Sequence, residues 1–194
     1  MIELLGIGVA ERGVWRLRRL CLRLEERALI AVLSDRRDQR LALLEVIGGR
    51  VVPSEGRAWI NGTPLTAETA ARVRRRVHVV DLARPRALRC PAAWHVLHER
   101  VRRAVEPRGK PECLIVAEPD AQLPRDEAAT FLRFLRDLAA CNRLPIVASF
   151  GDPSLAYEAD TVLTIVGGAV VSRAPGRTPP HILAPQSPQP WPGV

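Results

Sequence analysis

Lysine, aromatic residues and paired cysteines are what this chain has least of. Lys110 is the single lysine among 29 Lys and Arg residues, aromatics make up 4% of the sequence, and Cys21, Cys90, Cys113 and Cys141 show no C-x-x-C spacing. Single-stranded nucleic acid is gripped by stacking on aromatic side chains, so a net charge of +8 carried by arginine does not by itself make a nucleic-acid module. Cysteines without paired spacing point to reduced, buried thiols rather than to a disulfide framework or a zinc site. No apolar run reaches the length of a membrane span, which argues against direct membrane insertion. The start, Met1-Ile2-Glu3-Leu4-Leu5, carries an early acid and lacks the basic region of a secretory leader. The expected location is therefore cytoplasmic, with membrane association only through a partner.

What is present is a chain that can bury a core. Nearly half of its 194 residues are apolar (47%), enough for one folded domain. Strand-like runs occur at 2–9, 20–24, 29–33, 57–60, 77–80, 114–117, 146–149, 161–166 and 169–171, and Asn61-Gly62 marks a tight turn. Helices are expected over 40–47, 67–75, 92–105 and 126–140, the last with Ala129, Leu132, Leu135 and Leu138 on one face. Strands alternating with helices in the second half imply a mostly parallel α/β core, with the early strands as a small antiparallel sheet attached to it. The body is expected to span 1–172. Residues 173–194, crowded with proline from Pro175 to Pro192, form an extended or disordered tail in this reading, with Ile182-Leu183 or Trp191 able to dock on a partner.

The most informative segment is 28–49. An apolar strand, Ala28 to Leu33, enters the polar turn Ser34-Asp35-Arg36-Arg37-Asp38-Gln39-Arg40, and a helix with Leu41, Leu43, Leu44, Val46 and Ile47 follows before Gly48-Gly49. A phosphate loop, G-x-x-x-x-G-K-[ST], occupies this context, using glycines to aim backbone N–H groups inward, a lysine for the outer phosphates and a hydroxyl for magnesium. Here those positions read Ser34, Gln39, Arg40 and Leu41.

Over roughly 1–172 the framing sequence resembles the nucleotide-binding subunit of an ATP-binding-cassette (ABC) transporter. Met1-Ile2-Glu3-Leu4 is similar to that family's opening strand, and Pro53 to Leu65, PSEGRAWINGTPL, to its PxxGxxxxxGxPL stretch. Arg72 to Val80 resembles the run into the Q-loop, and Cys113 to Pro119 (CLIVAEP) the LLLLDEP of Walker B. Ser149 to Asp160 resembles the switch region VTHDPELAARAD, and Gly167-Gly168-Ala169-Val170-Val171 the closing DGRIV. The resemblance implies a P-loop NTPase core of mostly parallel strands, a small antiparallel subdomain, and a helical subdomain much reduced because the interval between Q-loop and Walker B is short.

The residues that the family uses for chemistry are replaced at almost every matching position. The adenine-stacking aromatic aligns with Glu11, the phosphate-loop glycines with Ser34, Arg37 and Gln39, the Q-loop glutamine with Asp81, the Walker B aspartate with Ala117, the switch histidine with Gly151 and the D-loop aspartate with Pro124. The signature loop falls on Ala93 to Glu99, where no glycine remains. Asp35 and Asp38 bring negative charge toward the triphosphate position, where one like-charge pair at about 4 Å costs on the order of 4 kcal/mol at moderate screening. Glu118, the Walker B glutamate, survives and is expected to be structural. Arg36, Arg37 and Asp38 are expected to fill the space where phosphates would lie.

The resemblance and its losses together lead to an expected catalytically inactive, ABC-ATPase-like chain: a structural or regulatory subunit without ATP or magnesium as cofactor, binding another protein, either an active cassette subunit or another member of its complex. Arg36, Arg37, Trp94 and Trp191 are the candidate partner-binding residues. Two other readings stand beside it: a divergent ATP-binding subunit of an ABC transporter working with an active paired subunit, and a nucleic-acid module using the clusters at 16–19, 72–76 and 100–103. Cys90, His95 and His98 are near enough in sequence to be weighed as metal ligands, but no second Cys/His cluster accompanies them, and no metal is expected.

Overall fold

The computed structural model describes residues 1–24, 28–81, 93–105, 111–121 and 123–176. Two sheets share the chain. Strands β1 (Ile2–Glu11), β2 (Val14–Leu24), β4 (Glu55–Ile60) and β5 (Thr63–Pro64) form an antiparallel sheet in the order β2-β1-β4-β5. Strands β3 (Leu29–Leu33), β6 (Val77–Asp81), β7 (Cys113–Ala117), β8 (Ile146–Phe150), β9 (Thr161–Val166) and β10 (Ala169–Pro175) form the second, in the order β10-β9-β3-β8-β7-β6. Neighbours from β9 to β6 run parallel, and β10 closes the sheet as an antiparallel hairpin on β9. This is the mostly parallel core with a small antiparallel attachment that the sequence pattern predicts.

Continuous apolar runs explain the central strands. Leu29–Leu33, Cys113–Ala117 and Ile146–Phe150 are buried at every residue, the mark of parallel strands covered on both faces. One face packs against α1 (Arg37–Ile47) and the antiparallel sheet. The opposite face packs against α3 (Ala93–Val105), α4 (Arg125–Asn142) and α5 (Pro153–Ala156). Helix α4 buries Ala128, Phe131, Leu132, Leu135 and Ala139, an apolar stripe at helical spacing, and stops at Arg143, whose φ of 53° is left-handed. Helix α2 (Ala70–Arg76) runs directly into β6. The turn at Asn61-Gly62 has positive φ at both residues (48° and 77°), the geometry of a two-residue hairpin connection.

Several boundaries differ from expectation, among them the start of α2, at Ala70 rather than Ala67. Helix α1 begins at Arg37, three residues before Arg40, so the polar turn is half helix. Strand β2 begins at Val14 rather than Leu20. Strand β10 continues to Pro175, paired with Thr161, so Arg173, Ala174 and Pro175 belong to the body and not to the tail. Proline is tolerated there because β10 is an edge strand. Trp191, Ile182 and Leu183 lie outside the described residues, as do Cys90 and the side chain of Trp94. Among the described residues between β6 and β7, α3 is the only helix, in keeping with a reduced helical subdomain.

Candidate functional site

Parallel strands deliver their following loops to one edge of the sheet, the usual place for a ligand crevice. Here the carboxyl ends of β3, β7 and β8 bring together Ser34, Glu118 and Gly151, with the first turn of α1 beside them. A buried carboxylate dominates the cluster. The Glu118 side chain is 6% exposed, and its Oε1 and Oε2 accept from Arg37 Nε at 2.8 and 2.9 Å. Arg37 Nη2 lies 2.7 Å from Oε2, and Arg40 Nη2 donates to Oε1 at 3.2 Å. Arg40 is itself buried, and its Nη1 donates to the Ser34 carbonyl oxygen. Buried charges persist only when paired and hydrogen-bonded, and Glu118 meets both conditions.

The same glutamate is held from its backbone. Its φ of 50° is left-handed for a residue with a Cβ, and its N–H donates to Ser149 Oγ at 3.1 Å at the end of β8. Two residues on, Asp120 Oδ2 accepts from the amides of Gly151 and Asp152 at 2.7 and 2.8 Å. Asp152 then caps α5 through Ser154, a hydrogen bond that holds its carboxyl below the ordinary aspartate range. Ser149 and Asp120 escaped the sequence reading. The only hint of Asp120 was a carboxylate following the proline of a Walker B-like run.

Around the turn the polar groups largely satisfy one another, the buried Arg40 Nε excepted. Ser34 Oγ donates to Gln39 Oε1 at 2.9 Å and accepts from the Arg36 amide at 3.2 Å. The amides of Gln39 and Arg40 both turn onto the Arg36 carbonyl, at 3.2 and 3.4 Å. Arg36 pairs with Asp38 through Nε–Oδ1 at 3.2 Å and Nη2–Oδ2 at 2.7 Å, which lowers the Asp38 pKa. The expectation that Arg36, Arg37 and Asp38 fill the crevice is corrected here. Arg36 and Asp38 form a partly exposed pair at the rim, their side chains 51% and 35% exposed, while Arg37 and Arg40 cross to Glu118. Asp38 thus neutralises Arg36, and Glu118 pairs with both Arg37 and Arg40.

The remaining aligned positions are spread around this cluster. Leu41 is partly buried against the core, and Ala117 ends β7 opposite Ser149. Glu11 ends β1 in an ion pair with Arg16, which also approaches Glu45 of α1 at 3.9 Å. The segment aligned with the signature loop, Ala93 to Glu99, is the start of α3. His95 is exposed, whereas the His98 ring lies against Phe134 with centroids 4.2 Å apart. Among the described residues no group of three His, Cys, Asp or Glu side chains is arranged to hold a metal. Nor, among them, is any helix long and apolar enough to cross a membrane.

With strand order, loop position and α1 in place, solved structures decide the fold. This chain has the fold of an ATP-binding cassette. It is similar to the dimeric post-hydrolysis ATP-binding cassette MJ0796 bound to ADP and Pi, with a TM-score of 0.69 at 13% identity over 92% of this chain and 100% of that one. It is also similar to cbiO1 from Clostridium perfringens, part of the ABC transporter complex cbiONQ, with a TM-score of 0.71 at 14% identity over 91% and 88%. A bacterial Atm1-family ABC exporter with ATP bound matches 90% of this chain with 39% of its own, at a TM-score of 0.68 and 14% identity. No family model matches the sequence, and no curated protein does. The cassette fold is thus shared at 13–14% identity.

Proposed function

We propose that this chain is a catalytically inactive cassette-fold protein, a pseudo-ATPase that serves as a structural or regulatory subunit by binding other proteins. One observation carries the reading: the glutamate of the Walker B-like run is consumed by Arg37 and Arg40 inside the fold. A glutamate that polarises an attacking water must face that water. Glu118 faces two guanidinium groups instead, one from the phosphate-loop lysine position and one from a phosphate-loop glycine position. The chemistry of the neighbours supports the same reading. Ala117 offers no carboxylate for magnesium, Leu41 no hydroxyl, and the side chains of Ser34, Arg37 and Gln39 stand where a phosphate cradle needs glycine.

The partner class follows by analogy with the neighbours. The cbiO1 protein is described as part of a transporter complex, so another subunit of a comparable assembly, an active ATPase among them, is the proposed partner. Purified protein tests the inactivity directly. Mg-ATP hydrolysis above a no-enzyme control, abolished by Glu118→Gln, would overturn it; no turnover and no thermal shift with millimolar Mg-ATP is the expected result.

A further inference from the structure

The parallel sheet ends at β6, whose one strand neighbour among the described residues is β7. A cleft of about 270 Å³ lies between this strand and α3, lined by His78, Val79, Val80, Arg100, Arg103 and Ala104. Three consecutive strand residues line it. Successive side chains point to opposite faces of a sheet, and here Val79 packs with one core while Val80 packs with the other. A cleft that touches both, and His78 between Val77 and Val79, follows the strand's outer edge rather than one face. An edge strand presents backbone N–H and C=O groups to whatever lies beside it. Opposite that edge stand Arg100 and Arg103, both exposed, on consecutive turns of α3. Glu99 pairs with Arg103 at 2.8 Å and leaves the wall cationic.

We propose that the β6–α3 cleft binds an extended acidic segment of a partner protein, which adds as a strand to the outer edge of β6, unpaired among the described residues, while its carboxylates face Arg100 and Arg103. Main-chain hydrogen bonds to the strand edge supply affinity, and alternate side chains are sorted by charge on one side and by the apolar flanks of Val79, Val80 and Ala104 on the other. The two arginines of the wall disfavour a basic segment. This names the chemistry of the partner for the subunit reading above and rests on that reading only in taking the ligand to be a protein.

The test uses the full chain and a fluorescent six-residue peptide of alternating glutamate and valine, titrated by anisotropy, with hydrogen exchange followed at the amides of Val77–Asp81. Expected are saturable binding, slowed exchange in β6, weakening of at least tenfold by Arg100→Glu, and weakening of at least fivefold when alternate peptide amides are N-methylated. Arg57→Glu, exposed on β4 of the antiparallel sheet, matches the charge change away from the cleft and should leave affinity within twofold. No binding at millimolar peptide, equal binding of a lysine–valine peptide, indifference to N-methylation, or displacement of the peptide by mixed-sequence DNA at equal charge concentration would each overturn the proposal. ATP hydrolysis is measured on the same preparation: turnover overturns the inactive-subunit reading, whereas loss of peptide binding without turnover overturns only the cleft assignment.

Discussion

Neutralising Glu118 should unfold this protein more readily, which is the opposite of what the same change does where a glutamate waits for water. Glu118→Gln keeps the shape and removes the charge. It leaves Arg40, with a side chain 9% exposed, as a buried cation facing neutral acceptors, the Ser34 carbonyl and the amide oxygen of the new Gln side chain. Removing one member of a buried pair costs about 3–5 kcal/mol, because the survivor is left uncompensated. Arg37 tempers this: its side chain is 58% exposed and can return to water, so the lower end, about 3 kcal/mol, is expected. For a chain of this length that is a fall in Tm of about 6–12 °C.

A double-mutant cycle separates the ion pair from other effects. Arg40→Met alone should cost about 2 kcal/mol, since Glu118 keeps Arg37, and Glu118→Gln with Arg40→Met should cost less than the two singles summed by about 2 kcal/mol. Urea denaturation with a common m-value measures all four corners. Additivity within about 0.5 kcal/mol, or a Glu118→Gln protein as stable as its parent, would refute the claim that Glu118 is a structural counter-ion.

Three further outcomes follow from single sites. Burial pushes the Cys113 thiol up from 9.0 to about 12, so at pH 8 the folded protein should leave Cys113 unalkylated by iodoacetamide while exposed Cys21 and Cys141 react, read by peptide mass spectrometry. The unfolded thiol ionises first, so the contribution of Cys113 to stability is full below about pH 9 and falls as pH rises toward 12. Asp152→Ala removes the cap of α5 and should cost about 1 kcal/mol above pH 5, converging on the parent as acid protonates Asp152, whose folded pKa is lowered chiefly by the Ser154 hydrogen bond. Gly56→Ala should destabilise by more than about 2 kcal/mol in urea titration, because φ is +76° and an added Cβ would lie 2.4 Å from the Gly6 carbonyl oxygen.

The fold was legible where burial alone dictates it. The unbroken apolar runs of β3, β7 and β8, and the stripe of α4, carry their own period, and the framing segments gave their order. Boundaries were less legible where polar residues continue an element. Arg37, Asp38 and Gln39 read as a turn because no apolar period marks them, yet they form the first turn of α1, where Asp38 also suits the helix dipole. Arg16 to Arg19 read as a basic cluster because Arg18 and Arg19 are both exposed and the register shifts there, with Arg19 at a φ of 48°, so that buried Leu17 and Leu20 lie three residues apart and no two-residue alternation shows. The site was half legible. Substitution at Ser34, Arg37, Gln39, Arg40 and Leu41 is visible in the letters, but the destination of Arg37 and Arg40 is not, since Glu118 lies 81 and 78 residues away. Only the sheet order brings β7 beside the loop that follows β3.

That closure bears on whether a single change could reopen the crevice to nucleotide. An anion entering between α1 and β7 must either detach two guanidinium groups from Glu118 or bring its own charge near the carboxylate. At about 4 Å and an effective dielectric of 20, one such repulsion is roughly 4 kcal/mol, or about a thousandfold in Kd. Glu118→Gln removes it and frees both arginines to attract phosphate. Binding is still expected to stay undetectable at millimolar Mg-ATP, because the amides of Gln39 and Arg40 already donate to the Arg36 carbonyl and their side chains occupy the approach. Isothermal titration of the parent and Glu118→Gln proteins decides between the two barriers. A submillimolar Kd in the variant alone would make the ion pair the lock and the lost glycines secondary; silence in both places the barrier in the backbone of the loop, which no single side-chain change restores.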